Sequence, residues 1–109
     1  MAKIDRFHME QYSYMLRRMK EIRETDGTTM LDNSLVAYGA ALGDGATHQF
    51  YDLPFILAGG GQGQIKQGRF IKCPSGTLNS NMWLTLAQLM GVEMKSFADS
   101  SGVISDLWT

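Results

Sequence analysis

Two stretches of this sequence are apolar without interruption. Residues 35–42, Leu-Val-Ala-Tyr-Gly-Ala-Ala-Leu, and residues 53–58, Leu-Pro-Phe-Ile-Leu-Ala, carry no charged side chain and no polar alternation. A strand with one wet face alternates apolar and polar residues, so an unbroken run predicts a strand covered on both faces. Pro54 fits at the entry of the second run, where its missing N–H costs no ladder bond. The loop between them, Gly43-Asp44-Gly45-Ala46-Thr47-His48, is turn-rich, and Gly59-Gly60-Gly61-Gln62-Gly63 breaks the second run. Arg69-Phe70-Ile71-Lys72 predicts a short third strand, ended by Cys73-Pro74-Ser75-Gly76.

Two segments have the period of a helix instead. Ile4, Phe7, Tyr12, Met15, Leu16, Met19 and Ile22 recur at spacings of three and four, which predicts an amphipathic helix over residues 4–22. Arg6 with Glu10, Arg17 with Glu21 and Lys20 with Glu24 are spaced as ion pairs on its wet face. Thr25-Asp26-Gly27 supplies a stop signal. Further on, Leu78, Met82, Leu86, Leu89 and Met90 form a second stripe, with Thr77 as N-cap and Gly91-Val92 as a Schellman-type end. Met15, Met19, Met82 and Met90 fall on these stripes and read as adaptable core filler.

The order helix, strand, strand, short strand, helix predicts an α/β layer, with two main helices packed on a small sheet of about three short strands. At 109 residues, 44% hydrophobic and 19% charged, the chain has room for a single domain over residues 1–109 with one core. Two apolar strands need cover on both faces. The expectation is therefore self-association or a further segment of a larger α/β domain, one that precedes these residues. Ten basic against eleven acidic residues give no nucleic-acid signature. Neither apolar run approaches the roughly 20 residues that cross a bilayer, so no membrane partner is expected. Met1-Ala2-Lys3-Ile4-Asp5-Arg6 lacks the apolar segment of a secretory signal. Cys73 is the only cysteine, which excludes an internal disulfide and a cysteine-based zinc cluster.

Candidate chemistry centres on the loop after the first strand. Asp44, His48 and Asp52 are spaced four apart there, at the strand end where α/β sheets bind ligands. Carboxylate and imidazole suit a divalent metal or acid–base work; the same Asp-Gly is also ordinary turn chemistry. His8, beside the apolar stripe of the first helix, either faces a site completed by other residues or satisfies a neighbour at the core edge. Arg69 either binds an anion beside the glycines or is paired at the surface. The glycines at 59–63 do not complete GxGxxG, because Gln64 holds the last place, and no lysine with serine or threonine follows. No nucleophile–base arrangement is evident, and no organic cofactor is indicated.

Read in order, Leu31-Asp32-Asn33-Ser34-Leu35-Val36, Tyr38-Gly39, Asp44-Gly45, His48, Leu53-Pro54, Leu57-Ala58-Gly59, Gly68-Arg69, Gly91-Val92 and Phe97-Ala98-Asp99-Ser100 resemble the C-terminal part of the exported bacterial proteins named after an HXXSHH motif, whose function is unknown. The resemblance spans nearly the whole chain, including Phe7-His8 and Glu10-Gln11. The histidine motif itself lies upstream in that family. The resemblance implies an exported or periplasmic location.

A broader similarity is to the sulfatase and alkaline-phosphatase superfamily, carried by Asp32-Asn33-Ser34-Leu35-Val36, Leu53-Pro54-Phe55-Ile56 and Leu89-Met90-Gly91-Val92. It implies an alkaline-phosphatase-like layered sheet and metal-dependent hydrolysis of phosphate or sulfate esters by the full-length protein. Aligned without gaps, the superfamily's metal-binding Asp and His fall on Ala41 and Leu42, and only Gly43 agrees. Asp44 and His48 would have to supply a divalent-metal site from displaced positions, completed by upstream groups, so the chain alone is expected to be inactive. The rival expectation is a non-enzymatic structural or protein-interaction domain on a degenerate hydrolase scaffold.

Overall fold

The computed structural model of the protein describes residues 2–108. It is a mixed α/β structure containing two α-helices and a two-stranded antiparallel sheet. The chain divides into two compact units, one ending at Gly59 and one beginning at Gly60.

In the first unit, helix α1 spans Ala2–Glu21. Of its residues only Tyr12 is buried, with Met9, Leu16 and Met19 half-buried on the same face. Ile4, Phe7, Met15 and Ile22 belong to the expected stripe but are 42–58% exposed. They lie on the neighbouring face, because a helix of about 3.6 residues per turn separates positions 4, 7, 15 and 22 from positions 9, 12, 16 and 19 by close to a third of a turn. The helix closes at Glu21, earlier than Gly27. Residues 23–29 make a tight hairpin instead: Arg23 bridges Thr29, Glu24 N donates to Thr28 O at 2.8 Å and Gly27 sits at φ 88°. Of the expected ion pairs Arg6–Glu10 forms at 2.8 Å. Glu21 pairs with Arg18 at 2.6 Å, leaving the Arg17 guanidinium over the Tyr14 ring.

Strand β1, Val36–Gly39, pairs with β2, Phe55–Ala58, in the register Val36↔Ala58 to Gly39↔Phe55. Both apolar runs do become strands, at four residues each. The expected burial on both faces is not found: β1 is half-buried along most of its length, and Ile56 in β2 is 43% exposed. The expected third strand is absent as well. Residues 69–72 carry no strand pairing, and Phe70 is 88% exposed. Its four residues include one charge at each end, too little apolar surface to hold a strand against a two-stranded ribbon.

In the second unit, helix α2 spans Asn79–Leu89. Its C-terminus is the expected Schellman motif. Gly91 N donates to Gln88 O and Val92 N to Ala87 O, each at 3.0 Å, and Gly91 takes φ 84°. Its start differs from expectation: Leu78 is the N-cap without a side-chain bond, and Thr77 turns its hydroxyl to Pro74 O at 2.7 Å. The buried face carries Leu84, Leu86 and Leu89 but also Ser80, Asn81 and Thr85, while Met90 is exposed. These polar groups are buried because the tail after α2 satisfies them. Ser80 donates to Asp99 at 2.7 Å, Asn81 accepts from Ser101 N at 2.8 Å, and the Thr85 hydroxyl donates to Asn81 O at 2.6 Å while accepting from Ile104 N at 2.8 Å. A short 3₁₀ turn, Ser105–Leu107, and a bridge between Ile65 and Trp108 close the unit.

Candidate functional site

The loop joining β1 to β2 narrows at a tight hairpin. Gly43 N donates to Gln49 O at 2.7 Å and Gln49 N to Asp44 O at 3.0 Å, so Asp44 and Gln49 form an antiparallel bridge enclosing residues 45–48. Four-residue hairpin loops usually finish on a left-handed residue. Here that residue is His48, at φ 53°. Asp44 organises the turn through its side chain: one carboxylate oxygen accepts from Ala46 N at 2.9 Å and the other from the Thr47 hydroxyl at 2.9 Å. These hydrogen bonds, the Ala46 amide first, hold its carboxyl below the usual carboxylate range.

Asp44 and His48 are therefore held in one short, exposed loop, within the loop expected over residues 43–48. Asp52 does not join them as part of the hairpin. It follows the exposed pair Phe50 and Tyr51 and adopts φ 52° just before Leu53-Pro54. His8 is exposed on α1, where its ring meets Phe7 edge-on with centroids 5.8 Å apart. Arg69 lies in the second unit and is tied to backbone: Nε donates to Lys66 O at 3.0 Å and an Nη to Trp108 O at 3.3 Å. Both bonds hold the exposed guanidinium along the backbone of that unit.

Among the described residues, no three His, Cys, Asp or Glu side chains converge as a metal site. The glycine-rich turn after β2 directs its amides inward, Gly63 N and Ile65 N both to Gly60 O. Two shallow depressions occur in the second unit, around Gln88 with Val92 and Met94 and around Gln62, Gln64 and Gly91; neither borders Asp44 or His48. No helix among the described residues is long and apolar enough to cross a membrane.

What sequence reasoning missed is the outward apolar face of α1. Ile4 is 58% exposed, Phe7 56% and Tyr14 55%, with Met15 and Ile22 beside them. The signal was present in the width of the apolar pattern, which covers more of the helix circumference than one core contact uses. Compared with known protein families, curated proteins and solved structures, the chain matches none.

Proposed function

We propose that this chain is a protein-interaction domain on a degenerate, alkaline-phosphatase-like layered scaffold, the C-terminal α/β part of an exported protein of the HXXSHH kind. The observation that carries the reading is the outward side of α1, where Ile4, Phe7, Tyr14 and Met15 lie in the open around Gln11 and Arg18, with Ile22 exposed just past the helix end. Exposed apolar side chains gathered on one side of a helix mark an interaction site. The superfamily's ligand positions, occupied by Ala41 and Leu42, agree with a scaffold that binds instead of hydrolysing. A dye that fluoresces on apolar surface, added to a dilute solution of the folded chain, tests it: strong binding is expected, reduced in Phe7→Ser with Met15→Ser. A folded chain that binds no dye would remove this reading.

A second reading is favoured by the hairpin that holds Asp44 and His48 in one exposed loop. In it the pair contributes to a divalent-metal site completed by groups of the longer protein, which would use the metal for phosphate- or sulfate-ester hydrolysis. Zinc titration of that protein decides it. Unchanged affinity in both Asp44→Ala and His48→Ala, with ester hydrolysis intact, excludes the pair as ligands.

A further inference from the structure

Five pairs in this chain place a glycine or serine directly after an aspartate or asparagine: Asp26-Gly27, Asn33-Ser34, Asp44-Gly45, Asn79-Ser80 and Asp99-Ser100. The backbone nitrogen that follows such a side chain can attack its Cγ and close a five-membered imide, and a following residue without bulk leaves the approach open. The nitrogen must be free and held within reach of the carbon. Tertiary structure decides where that holds.

Three of the amides must first give up a hydrogen bond. Gly27 N donates to Glu24 O at 3.1 Å, Ser34 N to Leu31 O at 3.2 Å and Ser100 N to Phe97 O at 2.9 Å. Asn79-Ser80 opens α2, and on a helix the side chain tilts back toward the N-terminus, away from the amide that follows it. Gly45 N donates to no group among the described residues. Residues 44–48 are all exposed, so water reaches whatever forms there. The Asp44 carboxylate also folds back over Gly45 to accept from Ala46 N at 2.9 Å, which lays the side chain along the intervening amide. Asp26 reaches over Gly27 to Thr28 N in the same way, at 2.9 Å. The Thr28 hydroxyl and amide lower the Asp26 carboxyl, as the Ala46 amide and the Thr47 hydroxyl lower that of Asp44, so acidity does not tell the two apart. What separates these Asp-Gly pairs is the glycine amide, bound in one and free in the other.

We infer that Asp44-Gly45 is a site of self-modification, where the free Gly45 nitrogen converts Asp44 to isoaspartate ahead of every other aspartate or asparagine of the folded chain. The Gly45 nitrogen bonds to Asp44 Cγ and gives up its proton, and the hydroxyl of the carboxylic acid leaves with that proton as water. A second water then opens the succinimide. Breaking the new N–Cγ bond restores aspartate. Breaking the original bond from Gly45 N to the Asp44 α-carbonyl carbon leaves the chain running through Cγ, with the α-carboxylate as side group. One water leaves and one enters, so no other reactant is consumed. The product cannot keep the hairpin. The Asp44 carbonyl that accepts from Gln49 N and the carboxylate that accepts from Ala46 N and the Thr47 hydroxyl have exchanged places in the chain, and the backbone is one carbon longer. The inference stands apart from both functional readings.

Ageing the folded full chain in neutral buffer tests it. Samples are unfolded at intervals and cut with a protease that cleaves before aspartate and not before isoaspartate, and mass spectrometry measures the uncut fraction at each site. Resistance is expected to accumulate at Asp44 about three- to tenfold faster than at Asp26, the weight of the one hydrogen bond that Gly27 must first break. In urea the two sites should isomerise at matching rates, because the selection lies in the fold. Gly45→Ala, whose Cβ meets nothing within 4 Å, should keep the fold by circular dichroism and slow the step at Asp44 severalfold. Equal rates at Asp26 and Asp44 in the folded chain overturn the inference, as does a chain that forms no isoaspartate at Asp44. A lead for Asp44 that persists in urea, or a Gly45→Ala variant that isomerises as fast as the wild type, equally overturns it.

Discussion

The Tyr12 hydroxyl donates to the carbonyl of Val36 at 2.9 Å, and its ring lies 5.3 Å from that of Tyr38. The one buried residue of α1 thereby fastens the helix to β1 by an apolar contact and a hydrogen bond together. Tyr12→Phe keeps the ring and removes the hydrogen bond to Val36, which should cost about 1 kcal/mol. Tyr12→Ala removes both and should cost about 3–5 kcal/mol. Amide hydrogen exchange in β1 and α1 reads both. Burial also raises the Tyr12 pKa above its ordinary value, so the folded state favours the neutral phenol. Its contribution is whole below the unfolded tyrosine pKa, near about 10, and is lost as pH rises through the folded value. The alkaline loss of stability should shrink in Tyr12→Phe.

Thr85 is fully buried, and its hydroxyl is both donor and acceptor. Thr85→Val matches its shape and leaves the Ile104 amide without its acceptor, an expected loss of about 1–3 kcal/mol. Thr85→Ser keeps both hydrogen bonds and should cost less. Trp83 and Trp108 are the only tryptophans, both in the second unit, so urea unfolding followed by their fluorescence measures the difference there.

Gly59 and Gly91 separate two reasons for a glycine. Both have positive φ, 97° and 84°, but a Cβ at 59 would stand 2.1 Å from the Ser34 carbonyl oxygen, whereas one at 91 meets nothing within 4 Å. Gly91→Ala should cost about 1–2 kcal/mol, from backbone strain alone. Gly59→Ala adds a backbone collision at the exit of β2 and should be the more damaging of the two, with thermal unfolding as the measurement.

The 43–49 hairpin should loosen in acid. Because hydrogen bonds from Ala46 and Thr47 lower the Asp44 pKa, its contribution is present above the ordinary carboxylate range and disappears as pH falls through the folded value. The Ala46 amide resonance should report that titration by NMR, and Asp44→Ala should abolish it while leaving β1 and β2 paired. An Ala46 amide that titrates identically in the variant would disprove the assignment.

Local signals in the chain were legible wherever the chemistry lies within a few residues. The periodicity of residues 4–22 predicts α1, Gly91-Val92 predicts how α2 ends, the two apolar runs predict β1 and β2, and the turn residues of 43–48 predict the loop that holds Asp44 and His48. Each follows from backbone geometry repeated over a turn or a strand. Tertiary structure decided what those elements bury. Residues 69–72 have the composition of a strand and no ladder to join. Ser80, Asn81 and Thr85 look like a solvated face, yet they are buried because a tail about twenty residues onward supplies their partners. The apolar pattern of α1 gives its width but not which part meets the core; Tyr12 does, because Val36 and Tyr38 are there to receive it. Burial is a property of pairs distant in sequence, whereas period, caps and turns belong to neighbours, and only the latter can be read from the chain alone.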